Sequence, residues 1–419
     1  MSAPAAPATS VRAVSRRSGT AIAIFALLLL SYVLNAMDRQ LFPLLVSDVR
    51  EEHNFGLADA GLLSTVFTLG MGLAGIPTAF LMARLRRKTV VMIGIFVFSI
   101  TTLLTALSAG FADMFIYRAL SGLGEAMQLA ALLAIATTYF TRRRAVAIGS
   151  INLSFAVGAA VSPVFGGALL AAFDWRMPLI VFGLLGIVAI ALVAIFVRPW
   201  LTEAAPSTAE VSAEAAADGE PAGAGPELPA RFLNRNTVLI TIATVAGGLL
   251  IYGYLGMYPT YLQEELGFDV AQKSGVMSIF GLGAILSIVG GMLGDRFNAR
   301  IVLPASFAIG IVLAVLLFTG PATFAFQAAF SFIWGAVISG TTYVNLAGYQ
   351  VKAVRPELAE KASGLFIAAL YIPAAFSGYL VGAAAGSMGW QRTGMVLIGG
   401  ISAVGALAAL FIRPAAMTR

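Results

Sequence analysis

The 419-residue chain contains no cysteine and a single histidine, His53. Without thiols there is no disulfide framework, no thiolate metal site and no cysteine nucleophile. One imidazole leaves little for metal binding or acid–base catalysis, and its place beside Glu51 and Glu52 reads as a solvated loop. Charge is scarce as well. Asp, Glu, Lys and Arg together make up 11% of the residues, against about 25% in a soluble domain. So few charges could not cover a water-exposed surface at this length. An ordinary soluble enzyme, a disordered protein and a nucleic-acid binder are excluded on that ground. The chain also lacks a Walker-type phosphate loop, so ATP-driven transport has no nucleotide site. No metal and no organic cofactor are expected, and the formal net charge of +6 reads as loop arginines rather than as a polyanion partner.

What the chain has is apolar length. With 59% hydrophobic residues over 419 positions, it can supply about twelve spans of about 20 residues each. Spans are read near 20–46, 58–82, 89–109, 113–138, 145–171 and 177–198, then near 237–261, 273–294, 300–318, 322–347, 362–386 and 393–413. The break between the two sets is rich in Ala, Glu, Ser, Gly and Pro, too polar to cross a bilayer and too poor in large apolar residues to fold alone. The expected organisation is a tail at 1–18, a six-helix bundle at 19–198, a linker at 199–235, a second bundle at 236–414 and a tail at 415–419. The basic residues alternate by loop. One side carries Arg84, Arg86, Arg87, Lys88, Arg142, Arg143, Arg144, Arg198, Arg231, Arg235, Arg296, Arg300, Lys352, Arg355 and Lys361; the other carries little beyond Arg50, Arg176, Lys273 and Arg392. The positive-inside rule then puts both termini in the cytoplasm. No cleavable signal peptide is read at the N-terminus.

The two sets echo each other. Ala79-Phe-Leu-Met-Ala-Arg84-Leu-Arg-Arg87 follows the second span, and Gly291-Met-Leu-Gly-Asp295-Arg296-Phe-Asn-Ala-Arg300 follows the eighth. Gly149, Gly167 and Trp175 share the spacing of Gly364, Gly382 and Trp390. Such duplication is the mark of a transporter built from related halves, its substrate site near the midplane between them. On these motifs the whole chain resembles a major facilitator superfamily transporter. The fold this implies is all-α, twelve transmembrane helices in two pseudo-symmetric six-helix bundles. In that family the Gly-x-x-x-Asp-Arg-x-x-x-Arg signature helps lock the cytoplasmic side of the outward-open state. The resemblance carries that latch to Asp295, Arg296 and Arg300. Ala79 and Ala83 replace the Gly and Asp of the first copy, so Arg84 and Arg87 read either as latch or as positive-inside anchors.

Four charges fall inside spans: Asp38 and Arg39 in the first, Arg118 and Glu125 in the fourth. A charge at the bilayer centre costs roughly 2.5–3.5 kcal/mol on insertion scales and persists when paired or facing water. Arg118 and Glu125 lie on nearly one helix face, about 10 Å apart along the axis, as two stations of one pathway. Tyr32, Asn35 and Arg39 share a stripe, and Arg39 is expected to face the central cavity. Asp38 points about 100° away and is expected to pair with Arg118 or Arg39 in some states and not in others.

The patterns Asn35-x-x-Asp38-Arg39 and Arg118-x-x-x-Gly122-x-Gly124-Glu125-Ala126 resemble the anion:cation symporter family and, nearly as well, the spinster-type lipid transporters. The resemblance implies proton roles for Asp38 and Glu125 and anion binding for Arg39. Tyr32, Asn35, Arg118 and Gln128 are further candidates for the substrate site. The second half supplies no charged counterpart there. Tyr254 and Tyr258 in the seventh span, and Thr341 with Asn345 in the tenth, are candidate cavity-lining residues; an interfacial belt and helix–helix glue are their plain alternatives. A cavity with no second cation fits a monoanion, or an amphiphile with one charged end. The fifth-span run Gly158 to Gly167 is a degraded antiporter motif and does not assign exchange.

The function expected is secondary active transport by alternating access: proton-coupled symport of a small organic monoanion such as a carboxylate or sugar acid. The proton is the coupling ion. The alternatives are a spinster-type, proton-linked exporter of a lipid or amphiphile, or a drug or metabolite:proton antiporter. Expected partners are a small-molecule substrate and the lipid bilayer, with no nucleic acid, and the chain is expected to act as a monomer in the bacterial inner membrane. It is not expected to be an enzyme.

Overall fold

A computed structural model of the protein describes residues 9–140, 143–203, 229 and 231–418. Among the described residues the secondary structure is all helical, and twelve candidate spans follow one another in the order expected. They are α1 (Thr9–His53), α2 (Leu57–Leu73 and Gly75–Arg84, bent by 46° at the break), α3 (Arg87–Ala106), α4 (Phe111–Tyr139), α5 (Arg144–Ala172), α6 (Arg176–Phe196), α7 (Arg235–Glu264), α8 (Val270–Arg296), α9 (Ala299–Thr319), α10 (Phe324–Lys352), α11 (Pro356–Met388) and α12 (Trp390–Leu410). Eleven are long and apolar enough to cross a membrane unaided, and the bent α2 makes the twelfth.

Two boundaries differ from the sequence reading. Helix α1 starts at Thr9, ten residues before the expected start of the first bundle at residue 19. The expected linker opens with a helical turn, Pro199–Thr202, whose Leu201 and Thr202 are buried. Arg87 donates to the Thr202 carbonyl at 3.4 Å, which docks that turn on the first bundle. Residues 204–228 and 230 of the linker, and Arg142, lie outside the described residues.

Helices in hydrocarbon must satisfy their own backbone, and proline or π-turns survive where a neighbour or hydroxyl takes up the freed carbonyl. The Gly335–Thr342 segment of α10 is a π-helix. There Thr341 donates to the Ala336 carbonyl at 3.0 Å and Thr342 to that of Val337 at 2.9 Å, each five residues back.

The apolar core of the first bundle is in two blocks. One gathers Phe25, Leu28, Tyr32, Ile95 and Ile135; the other gathers Leu41, Phe42, Val46, Met114 and Leu179. Asn35, Asp38 and Arg39 follow Tyr32 and precede Leu41, so they enter between the blocks. The second bundle has one core, centred on α7 with Tyr254, Trp334 and Phe307, and it takes in Phe67 and Met71 from α2.

The bundles are tied together on the face opposite the chain termini, called here the distal face. Arg50 on α1 pairs with Glu264 on α7 at 3.0 Å. Lys273 on α8, fully buried, donates to the Leu44 carbonyl at 2.9 Å, lies 3.6 Å from Asp48 and bonds Gln263. Thr65 on α2 donates to the Ala375 carbonyl at 2.8 Å and accepts from the Gly378 amide at 3.2 Å. Gly61 and Gly378 abut so closely that a methyl on either would enter the other's backbone. Small residues allow this approach in a membrane bundle.

Candidate functional site

The four intramembrane charges meet in two ion pairs between α1 and α4. Arg39 Nε lies 2.9 Å from Glu125 Oε2, and Arg118 Nη1 lies 3.6 Å from Asp38 Oδ2. All four groups are buried, Arg118 and Glu125 completely. Their formal charges sum to zero, which lets four charges persist in a low-dielectric interior where an unpaired one would not.

Polar neighbours fix each member. Arg39 Nη2 donates to Asn35 Oδ1 at 2.8 Å. Asn35 in turn donates to the Glu125 carbonyl at 3.1 Å and to Gln128 Oε1 at 2.9 Å, and Gln128 donates to Ser31 at 3.0 Å. Asp38 Oδ1 accepts from Thr102 on α3 at 2.7 Å. The Ser121 hydroxyl lies 2.9 Å from Asp38 Oδ2 and 3.0 Å from Glu125 Oε1, between the two pairs. Arg118 also stacks over Phe42 and Phe67, at 4.9 and 5.4 Å from the ring centroids. Its guanidinium nitrogens have no hydrogen-bond partner among the described residues, so Asp38 holds it by charge alone. Arg39 lies 5.5 Å from the Phe155 ring.

The stripe Tyr32, Asn35, Arg39 thus sits on one face of α1, with all three residues buried. Asp38 turns to Arg118 in this conformation. Gln128 belongs to the same network. The second bundle brings tyrosines to this region: Tyr252 on α7 stands edge-on to Phe67 of the first bundle at 5.8 Å, and its ring is 5.8 Å from that of Tyr371 on α11. Tyr343 on α10 stands edge-on to Phe366 of α11 at 5.6 Å.

Four expected lining residues are elsewhere. Tyr254 donates to Ser331 at 2.7 Å and stacks on Trp334, and Tyr258 donates to Gln327 and stacks on Tyr254 at 4.4 Å. Both are inside the second bundle, because their side of α7 packs against α10 while Tyr252 takes the side toward the first bundle. Thr341 serves the π-turn. Asn345 donates to the carbonyls of Gly290 and Thr341, both at 2.8 Å, and so fastens α8 to α10. The helix-glue alternative describes that pair.

At the face bearing the termini, the signature residues are exposed. Asp295 pairs with Lys352 of its own bundle at 3.3 Å, Arg296 sits 5.8 Å from the Phe297 ring, and Arg300 is exposed. Arg84 lies 3.9 Å over Phe80, and Arg87 donates to Thr138 at 2.6 Å. Asp295 is therefore held within one bundle in the conformation whose distal face is tied. His53 is no solvated loop residue. It ends α1 and stacks on Phe55 at 5.2 Å, edge-on to Trp175 at 6.1 Å.

Sequence reasoning passed over Ser121, Thr102, Tyr343, Tyr371 and Lys273. For Ser121 a signal existed: three residues past Arg118 and four before Glu125, it shares their stripe. For Lys273 none did, since one lysine at a span end reads as a loop charge.

The sequence profile described as Major Facilitator Superfamily matches residues 28–378. The chain is similar to a hexuronate transporter of Bacillus subtilis, 25% identical over 315 residues, which cover 74% of this chain and 73% of that one. It is similar to a probable sulfoacetate transporter of Cupriavidus necator, 26% identical over 419 aligned positions, with 93% of each chain covered. Among solved structures it resembles a bacterial homolog of the human lysosomal transporter spinster in an inward-facing and occupied conformation. The TM-score is 0.74 at 17% identity, covering 93% of this chain and 96% of that one, a likeness of fold.

Proposed function

The chain belongs to the major facilitator superfamily, a family of multi-pass membrane transporters, and from that premise we propose that it carries a small organic monoanion, a carboxylate or sugar acid, in symport with protons. The observation that carries the reading is the neutral four-charge cluster. Each guanidinium is occupied by a carboxylate of the same bundle. Protonation of Glu125 removes the charge that holds Arg39, and a substrate carboxylate can take its place as a bidentate partner. Burial disfavours the charged form of any carboxylate, so an ion pair that loses its cation to the substrate favours the neutral acid. Anion binding and protonation thereby support each other. The tyrosine hydroxyls of Tyr252, Tyr343 and Tyr371 would face the rest of the substrate, and they suit the hydroxyl groups of a sugar acid better than a second anionic group.

Alternating access follows from the two-bundle construction. In the conformation described, the distal ties close one side. With the termini in the cytoplasm, as the loop charges favour, the closed side is the outer one. Asp295, Arg296 and Arg300, with Arg84 and Arg87, are positioned to engage when the bundles rock the other way. The similarity to a hexuronate transporter and to a probable sulfoacetate transporter supports an anionic substrate.

The test is uptake in proteoliposomes of the purified chain, with labelled monocarboxylates, hexuronates and sulfonates under an imposed pH gradient. Saturable accumulation that collapses with the gradient is expected. Long-chain amphiphiles that compete where short acids do not would replace this reading with export of a lipid-like substrate. A Glu125→Gln protein that still accumulates substrate on a pH gradient would remove Glu125 from the coupling.

A further inference from the structure

We propose that the Ser121 hydroxyl is a proton relay between Asp38 and Glu125, so that the two carboxyl groups share one proton that crosses between the ion pairs without meeting water. The inference rests on the proton-coupled reading and deepens it. It starts from an atom count. Ser121 Oγ stands 2.9 Å from Asp38 Oδ2 and 3.0 Å from Glu125 Oε1, both hydrogen-bond distances, yet a hydroxyl has one hydrogen to give. With both carboxylates ionised, one of the two contacts would press a lone pair against a buried anion. With one carboxyl protonated, both contacts become hydrogen bonds: the acid donates to Ser121 Oγ, and Ser121 donates to the other carboxylate. The geometry therefore calls for a second hydrogen among the three oxygens.

The setting supports this. Elsewhere in the bundle, helix hydroxyls donate to the carbonyl four residues back, as Ser64 does to Ala60 and Thr105 to Thr101. Ser121 forgoes that habit and is completely buried. Asp38 and Glu125 are the buried carboxylates among the described residues. Every other group facing them is a donor or a cation: Arg118 and Thr102 toward Asp38, Arg39 toward Glu125. The guanidinium groups cannot accept a proton, and the Thr102 hydroxyl is committed as a donor to Asp38 Oδ1.

The step balances simply. The O–H bond of protonated Asp38 breaks as its proton passes to Ser121 Oγ. The original Ser121 O–H bond breaks as that proton passes to Glu125 Oε1. One proton has moved, no electron has been transferred, and the serine ends as a hydroxyl pointing the other way. The charge that binds Arg118 is restored as the charge that binds Arg39 is removed. Arg39 is then free for the anion. The reverse hop resets the pair.

The test needs no substrate. Difference infrared spectroscopy of the purified full chain at neutral pH should show the C=O stretch of a protonated buried carboxyl, lost in Asp38→Asn or Glu125→Gln. In Ser121→Ala the band should shift, and its exchange with deuterium should slow at least tenfold. Ser121→Cys, which keeps a transferable hydrogen on a weaker donor, should fall between. Absence of a protonated carboxyl in the unaltered chain, or an identical band and exchange rate in Ser121→Ala, overturns the relay. Size-exclusion profiles identify a misfolded variant, and Ser121→Cys then carries the comparison. The transport assay separates the two ideas. An unaltered chain indifferent to a pH gradient refutes proton coupling. An unaltered chain that responds, with Ser121→Ala accumulating equally well, refutes only the relay.

Discussion

Asp38, Arg39, Arg118 and Glu125 hold one another in place, and the consequence of removing any one falls on its partner. A buried ion pair that loses one member leaves an uncompensated charge, at a cost of about 3–5 kcal/mol. Glu125→Gln is therefore expected to lower the thermal unfolding midpoint in detergent. Arg39→Gln combined with Glu125→Gln should recover much of that loss. Equal midpoints for the single and double variants would show that Arg39 does not depend on Glu125. These four residues were legible in the sequence because charge inside an apolar span is conspicuous. Their pairing was only half legible: helix angles separate Asp38 from Arg39 by about 100° but do not say which neighbour receives each. Tyr254 and Tyr258 were misplaced for a related reason. Periodicity shows that two side chains share a stripe, and the stripe's direction depends on which helix packs there. Tyr252, two residues earlier, takes the other direction and meets Phe67 of the first bundle.

Among the helices, α1 and α8 carry the distal closure. Lys273 is spent there on a backbone carbonyl of α1 and on Asp48, and a lysine held this way couples the separation of the bundles to the breaking of both contacts. Lys273→Met should weaken the closure. The chain's lack of cysteine gives a clean measurement. Ser274→Cys places a thiol where the serine presses on Gly167, and its alkylation by a maleimide in detergent should be slow. Adding Lys273→Met should speed it about tenfold. An unchanged rate would mean that the Arg50–Glu264 pair, the Thr65 hydrogen bonds and the glycine contacts hold the face shut without Lys273. The spans themselves were plain in the sequence, because about 20 apolar residues in a row have few other uses. The break in α2 and the π-turn in α10 were not, since both depend on how neighbours and hydroxyls take up individual carbonyls. The helical extension of α1 to Thr9 was likewise hidden by polar residues that read as a tail.

For the molecule as a whole, the repeat in the sequence announced two bundles, and the structure adds an asymmetry between them. The first holds the charges; the second brings aromatic hydroxyls to the meeting place. That division has an electrical meaning. A carrier that has released the shared proton has no net charge in the cluster, so its return displaces no charge across the membrane. Each bound proton adds one positive charge and each monoanion cancels one. A charge crossing the full membrane is worth about 2.3 kcal/mol per 100 mV. If one proton accompanies each anion, a potassium–valinomycin voltage imposed on the proteoliposomes should leave the uptake rate unchanged. If two accompany it, an interior-negative voltage should accelerate uptake, and only the loaded half of the cycle would feel it.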